Sequence, residues 1–312
     1  MSNTKDTTEA GFVNRHGQIV IRKTELTGTD HLQHVYQLSC VHCGAVYGAN
    51  GSEIHERLCP ECQEGRPGLA LESPGTGVHD QKWPDQLVIV RHGQSERNVA
   101  KERAKAEGKL EVWGDHLRDV DTPLTPLGIE QAATTGQFLR SRFDFDAIFV
   151  SPYLRTIQTA EQITAKLGGK PLVVHEERIR EIEFGILDGL TRDGIQQLYP
   201  VEFSRREREG KYWYRPPGGE SRPDVALRVH SFLGTLTREY RRKSVLVVCH
   251  SVVVLIFRRL LERWDEAQYM KVDSEDDVLN CSITAYCYHA QKRKLELDCF
   301  NTICYPREMP VE

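Results

Sequence analysis

Short apolar runs alternate with amphipathic stretches through the chain from about residue 85 onward. Runs rich in valine and isoleucine predict buried strands, and apolar residues that recur at helical spacing predict helices packed against a sheet. This alternation indicates an α/β domain, a three-layer, mostly parallel sheet flanked by helices. The predicted strands are 86–91, 147–151, 171–175 and 244–250, the predicted helices are 128–142, 154–167, 223–240 and 251–262, and 282–289 with 294–300 predict an antiparallel hairpin at the sheet edge.

The segment before residue 85 lacks this alternation. It ends in a run rich in glycine, proline and serine at residues 72–77, which is typical of a linker. We therefore predict a small module at residues 1–70, a linker at 71–84 and a larger domain at 85–312.

The composition is ordinary for a soluble protein, since 39% of the 312 residues are hydrophobic and 28% are charged. The longest apolar stretch, residues 245–257, is interrupted by His250 and Ser251 and is too short to span a bilayer. The amino terminus is polar and shows no signal peptide, so we expect a cytoplasmic protein with no membrane partner. The formal net charge of −4 gives no global attraction to nucleic acid.

Four of the nine cysteines form two Cys-x-x-Cys pairs in the small module. Two such turns bring four thiolates within reach of one metal ion, so we expect one structural Zn²⁺ per chain, with free thiols or a redox pair as alternatives. Residues 36–66 resemble a zinc ribbon. Four cysteine ligands leave no open coordination position, so this zinc is not expected to act in catalysis. The expected ligands are Cys40, Cys43, Cys59 and Cys62.

The charge of this module argues against nucleic acid as a partner. Residues 1–84 carry seven lysines and arginines against ten aspartates and glutamates, and four thiolates on Zn²⁺ would add further negative charge. Such a surface repels phosphate. We expect the module to contact a protein partner, or to dock on the larger domain.

Histidines, arginines and an acid follow four of the predicted strands. The carboxyl ends of parallel strands meet at one edge of a sheet, where α/β proteins bind ligands, so these side chains are expected to converge. Arg91 and His92 follow the first strand, Arg155 the second, Glu181 the third and His250 the fourth.

Two motifs identify a family that this chain resembles. Residues 91–98 read R-H-G-x-S-x-x-N, and residues 151–160 read S-P-x-x-R-T-x-Q-T-A. With these motifs, residues 85–290 resemble the histidine phosphatase superfamily, in the branch of the phosphoglycerate mutases and related broad-range phosphatases. The resemblance implies a phosphoglycerate mutase-like fold for the larger domain.

The resemblance also implies a role for each motif residue. His92 would be the phosphorylated nucleophile, and Glu181 would be the proton donor and then the base. Two arginines and a protonated histidine would hold the phosphoryl oxygens, so no metal need enter catalysis. The phosphoryl-binding residues would be Arg91, Arg155 and His250, and the further substrate-binding candidates are Ser95, Asn98, Gln94 and Ser251, the last standing where many relatives have glycine.

The resulting hypothesis is a metal-independent phosphomonoesterase that acts on a small phosphorylated metabolite or nucleotide. A phosphomutase, a non-catalytic phosphate-binding scaffold recruited by the zinc ribbon, and a phosphatase for nucleic-acid ends are the alternatives. Glu183 would add negative charge beside the pocket, so a second phosphate is expected to be poorly received, which favours a phosphatase over a mutase.

Two segments, residues 99–120 and 202–215, are expected to cover the pocket. The second interleaves five cationic residues with Tyr212, Trp213 and Tyr214. It is interpreted either as a solvated helix face or as a platform on which aromatic rings stack against a substrate. Trp113, His116 and Tyr153 are further candidates for the same mouth.

Overall fold

The computed structural model describes residues 6–30, 33–71, 81–112, 118–275 and 277–306. Contacts within the chain divide it into two compact units, Met1–Asp80 and Gln81–Glu312. Most of the segment predicted as a linker, residues 72–80, lies outside the described residues.

The first unit is built on a three-stranded antiparallel sheet. A 3₁₀ turn, Gly51–Glu56, follows the last strand and places Ile54 in a small core with Leu38 and Cys59. Because so few apolar side chains are buried, the module depends on additional cross-links for its stability. The strands, in the order β1-β2-β3, are Gln18–Thr27, His34–Cys40 and Val46–Asn50.

The second unit holds a six-stranded sheet in the order β6-β5-β7-β4-β8-β9. The first four strands in that order are parallel, and β8 and β9 are antiparallel. The strands are β4 (Gln86–Arg91), β5 (Ala147–Val150), β6 (Leu172–His175), β7 (Ser244–Cys249), β8 (Ile283–His289) and β9 (Lys294–Thr302). The helices are α1 (Glu96–Ala106), α2 (Pro126–Arg140), α3 (Leu154–Thr164), α4 (Arg192–Leu198), α5 (Pro200–Glu209), α6 (Arg222–Glu239), α7 (Ser251–Glu262) and α8 (Glu266–Glu275).

Side chains of the central strand β4 alternate between two cores. Leu87 and Ile89 are buried with residues of α6 and α7, whereas Val88 and Val90 are buried with residues of α2 and α3. This period of two follows from the strand pleat, and it places helices on both faces of the sheet. The predicted three-layer, mostly parallel α/β fold is confirmed. Among the described residues, no helix has the length and apolar character needed to cross a membrane.

Capping interactions set element boundaries that the hydrophobic periodicity alone does not predict. Helix α2 begins two residues before the predicted start, because the Thr125 hydroxyl accepts a hydrogen bond from the Gly128 amide (3.0 Å) and Pro126 occupies the first turn. A Cβ on Gly93 would collide with the backbone of Gly128, so only glycine lets the turn after β4 approach α2 this closely. The turn that carries His92 is thereby fixed against α2.

Candidate active site

His92 lies buried at the carboxyl end of β4, with 3% of its surface exposed. Its Nδ1 lies 2.7 Å from the Gly93 carbonyl oxygen, which only accepts hydrogen bonds, so Nδ1 carries the proton and Nε2 keeps its lone pair. Burial, followed by the nearby charges of Arg155 and Arg91, holds the pKa of His92 well below its usual value. His92 is therefore a neutral imidazole with an unprotonated nitrogen.

His250 follows β7 and is completely buried. Its Nε2 lies 2.7 Å from the Ser151 hydroxyl oxygen, its ring contacts His92 edge-on, and its Nδ1 lies 3.9 Å from Glu181 Oε2. Burial, followed by the charge of Arg155, holds the pKa of His250 well below its usual value. This direction disagrees with the expected protonated histidine, because burial beside Arg155 favours the neutral imidazole. Its Nδ1 has no hydrogen-bond partner among the described residues.

The two predicted arginines are anchored in different ways. Arg91 donates to the Val278 carbonyl oxygen, and its buried Nε has no partner within the described residues. Arg155 donates from both terminal nitrogens to the Asp119 carboxylate, at 3.0 and 3.2 Å. Arg97 also pairs with Asp119, at 2.9 Å. Sequence reasoning did not single out Asp119 or Arg97, because nothing in their local sequence distinguishes them from solvated charges.

Glu181 lies in the loop after β6, where it is buried. Its Oε1 accepts a hydrogen bond from the Ile182 amide (2.9 Å), and burial raises the pKa of its carboxyl group despite the opposing charge of Arg155. Arg228 of α6 positions this loop by donating to the backbone carbonyls of Arg178, Arg180 and Glu181. A carboxyl group in this environment retains its proton to a higher pH than an ordinary glutamate.

A cavity of about 340 Å³ opens beside His92. Glu183 is exposed and does not line it, and its expected effect on a second phosphate stays a prediction. Positive charge prevails on the walls, with seven cationic side chains against four acidic ones. The cationic residues are Arg91, Arg97, Lys101, Arg155, Arg206, Lys211 and Arg222, and the acidic residues are Asp119, Glu181, Asp273 and Asp277.

The predicted substrate-binding residues fall into two groups. Ser95, Asn98 and Ser251 line the cavity, although Ser95 and Asn98 also form the capping box of α1. Gln94 does not line the cavity, since its side-chain oxygen accepts a hydrogen bond from Thr125 (2.9 Å). The structure thus gives Gln94 a positioning contact, and the binding roles of the other three remain predictions.

The second predicted cover, residues 202–215, contributes charge to the cavity through Arg206 and Lys211. Tyr212 is buried in the core and Trp213 points outward with 57% of its surface exposed, so neither ring forms the expected stacking platform. Tyr214 lines an adjoining cavity with Arg206, and a stacking role for this ring stays a prediction.

The first predicted cover, residues 99–120, includes most of α1. Trp113 and His116, proposed for the mouth, lie outside the described residues. Tyr153 is buried, and its ring contacts His250 edge-on at 5.0 Å between ring centroids.

The motif at residues 151–160 supplies supports that its sequence alone did not reveal. The Thr159 hydroxyl accepts a hydrogen bond from the Gly93 amide (3.0 Å), and the Gln158 side-chain oxygen accepts one from the Leu124 amide (2.8 Å). Ser151 contacts His250 in addition, so the end of β5 and helix α3 together hold three separate loops in place. Thr159 and Gln158 do so by accepting hydrogen bonds from backbone amides.

In the first unit, the four paired cysteines lie together. Their sulfur atoms are all within 4.8 Å of one another, and the Cys40–Cys62 and Cys43–Cys59 sulfur pairs are 3.7 and 3.6 Å apart. Four thiolates around Zn²⁺ at about 2.3 Å would be separated by about 3.8 Å, so the cluster fits a tetrahedral site. Gly44, at φ +75°, makes the tight turn after Cys43.

Comparison with known proteins places the second unit in context. Residues 87–299 match the family model of the histidine phosphatase superfamily (branch 1). The rat enzyme 6-phosphofructo-2-kinase/fructose-2,6-bisphosphatase 1 (Rattus norvegicus) is 31% identical over 222 residues. The match covers 70% of this chain but 42% of that relative, so the chain spans less than half of its length.

Solved structures agree with this match. A mycobacterial glucosyl-3-phosphoglycerate phosphatase, solved with VO3, is 26% identical with a TM-score of 0.54, and the match covers 70% of this chain and 99% of that chain. A phosphoserine phosphatase from Entamoeba histolytica gives a TM-score of 0.53 at 23% identity over 70% of this chain and 96% of its own, which supports the shared fold alone.

Proposed function

The chain belongs to the histidine phosphatase superfamily (branch 1), and from this premise we propose that its second unit hydrolyses phosphate monoesters through a phosphohistidine. The observation that carries the proposal is the pairing of a neutral, buried His92, whose Nε2 is unprotonated, with a buried Glu181 whose pKa is raised. One group is poised to attack phosphorus, and the other is poised to protonate a leaving group.

Two displacements complete the proposed reaction. In the first, the Nε2 lone pair of His92 attacks phosphorus, the ester P–O bond breaks, and Glu181 gives its proton to the departing alkoxide. In the second, the Glu181 carboxylate accepts a proton from water as the water oxygen attacks phosphorus. The P–N bond then breaks, its electron pair returns to His92, and phosphate is released.

Positive charge for the phosphoryl oxygens would come from the protein. Arg155 and the Nε of Arg91, which has no partner among the described residues, would provide fixed charge. His250 Nδ1, likewise without a partner in the described part of the chain, is a further candidate to contact the phosphoryl group. Histidine phosphatases need no metal for this chemistry, because arginines stabilise the charge that develops on the equatorial oxygens.

Glu181→Gln is expected to reduce hydrolysis of alkyl phosphates by about 10²–10⁴-fold and that of p-nitrophenyl phosphate only mildly. A basic alkoxide needs a proton to depart, whereas nitrophenolate leaves readily without one. Raising the pH through the raised pKa of Glu181 removes that proton, so alkyl ester hydrolysis falls on the alkaline side. Glu181→Gln should abolish this alkaline limb, which kcat/KM measured across pH would show.

Glu183→Gln is the matched control, because Glu183 lies two residues away but is exposed outside the cavity. It should leave both ester types and the alkaline limb unchanged. If Glu183→Gln produced the dependence on the leaving group and Glu181→Gln did not, the proton donor would have to be reassigned.

We further propose that the substrate carries a second acidic group. Arg206 and Arg222 line both the reaction cavity and an adjoining cavity of about 280 Å³. Arg222 is buried, and its Nε has no hydrogen-bond partner in the part of the chain that the structure describes. Two desolvated guanidinium groups this close together favour a bound anion, because an anion between them offsets both their mutual repulsion and the cost of burying their charges. The rat relative is by name a bisphosphatase, which agrees with such a substrate.

Arg206→Met is expected to raise KM for the preferred substrate by about tenfold to hundredfold, as loss of a charge-assisted hydrogen bond implies. The KM for p-nitrophenyl phosphate, which has no second acidic group, should change little. Arg205→Met is the matched control, because Arg205 pairs with Glu209 and does not line the cavity. A phosphometabolite panel would identify the substrate, and isomerised product without phosphate release would indicate a mutase instead.

For the first unit we propose that Cys40, Cys43, Cys59 and Cys62 bind one Zn²⁺ that stabilises the module as a zinc ribbon. The sulfur spacing supports this assignment. Such an ion would tie the turn after β2 to the loop after the 3₁₀ turn. The acidic balance of this region favours a protein partner over nucleic acid.

A further inference from the structure

The Asp119 carboxylate binds the guanidinium group of Arg155, which the proposed reaction assigns to the phosphoryl group of the substrate. It lies in the 3₁₀ turn Asp119–Asp121 before α2, and 12% of its side chain is exposed. Both terminal nitrogens of Arg155 donate to its carboxylate, and Arg97 forms an ion pair with the same group. This forked arrangement is the geometry in which a guanidinium group holds two oxygens of a phosphoryl group.

The donors of Arg155 are almost fully used in this state. One terminal nitrogen also donates to the Asp119 carbonyl oxygen (2.7 Å), and Nε donates to His92 Nε2 (3.3 Å). These contacts engage four of the five N–H groups of the side chain. Both terminal nitrogens of Arg155 can therefore bind a phosphoryl group only after the Asp119 carboxylate has moved away from them.

We propose that Asp119 is an internal competitor, a carboxylate that every anionic ligand must displace from Arg155 before it can bind there. The inference rests on the proposed function only in taking Arg155 as the phosphoryl-binding residue. Because one carboxylate competes with every ligand for the same guanidinium group, Asp119 lowers the affinity for all anions by a common factor. The choice among anions is then left to the other groups of the cavity, Arg91 among them.

Asp119→Asn tests this proposal by direct binding to the full chain. Calorimetry would measure the affinities of inorganic phosphate, at alkaline pH where it is a dianion, and of formate, a monoanion. We expect both affinities to rise by about the same factor, on the order of tenfold, because removing a competitor restores the same fraction of open sites for every ligand.

Two other roles of Asp119 give different results. Through-space repulsion acts on each ligand charge, so phosphate affinity would rise by about the square of the factor for formate, and the proposal would be overturned. A carboxylate that only orients Arg155 would make phosphate bind more weakly in Asp119→Asn, and that result would likewise contradict the proposal. Absence of phosphate binding to both proteins would also overturn it.

Two variants serve as matched controls. Asp277→Asn removes an equal charge from the cavity wall but leaves Asp119 bound to Arg155, so any increase in affinity should be larger for phosphate than for formate. Asp121→Asn alters the exposed acid of the same turn, which pairs with Arg118, and should leave both affinities unchanged. Because binding is measured without turnover, an inactive protein that binds phosphate more tightly as Asp119→Asn would contradict the proposed function and still support this inference.

Discussion

His92→Ala is expected to lower kcat/KM for every phosphate monoester by at least about 10³-fold, with the fold retained. The substitution removes the atom that bonds to phosphorus, and no other unprotonated nitrogen in the described site has the same position. His92 lies at a strand end beside the cavity and is not part of either apolar core, so its removal should not unfold the domain.

The covalent intermediate gives a second measurement for this prediction. Wild-type protein mixed with labelled substrate should retain label after an alkaline quench and lose it in acid, as phosphohistidine does. His92→Ala should retain none under either condition. His230→Ala is the control, since His230 is exposed on α6 away from this cavity, and it should behave as wild type. Substantial turnover by His92→Ala would rule out the covalent mechanism.

Cys59→Ser is expected to abolish zinc binding and to unfold the first unit. Cys59 is completely buried and belongs to both the sulfur cluster and the small core. Structural zinc contributes about 10–16 kcal/mol of binding free energy in small modules, which is more than so few buried apolar side chains provide. The metal content of the purified full chain, and its circular dichroism, would record the loss.

Cys287→Ser is the control for this change, because Cys287 is a free cysteine of β8 outside the cluster. It should keep one zinc per chain. A chelator should strip the metal from the wild-type chain without altering hydrolysis of p-nitrophenyl phosphate, since arginines supply the catalytic charge. One zinc per chain in Cys59→Ser would refute the four-cysteine site.

The sequence pattern located the six strands of the second unit and its helices α2, α3, α6 and α7, because burial in a sheet covered on both faces imposes strong periodicity. It did not predict β1–β3 or the more polar helices α1, α4, α5 and α8. Strand β4 and helix α7 have the predicted limits, and the other strands of the sheet end within two residues of theirs. The spacing of the two cysteine pairs likewise predicted that their four sulfur atoms converge.

The pairing and protonation of charged side chains were harder to predict than the positions of the strands and helices. Asp119 and Asp121 are two acids in one short turn, and only the path of the backbone decides that the first meets Arg155 while the second faces solvent. The protonation of His250 depends on complete burial beside a guanidinium group, which no local motif records.

The register of the central strands has a consequence for how this enzyme can diversify. Arg91 of β4 is paired with Cys249 of β7, so the two histidines that follow them are held at the ends of one continuous hydrogen-bonded ladder in the core. Arg206, by contrast, lies on the surface helix α5. Substitutions in this helix are expected to change which ester is accepted without disturbing the alignment of the two histidines. Catalytic chemistry and substrate choice are therefore free to evolve separately in this fold.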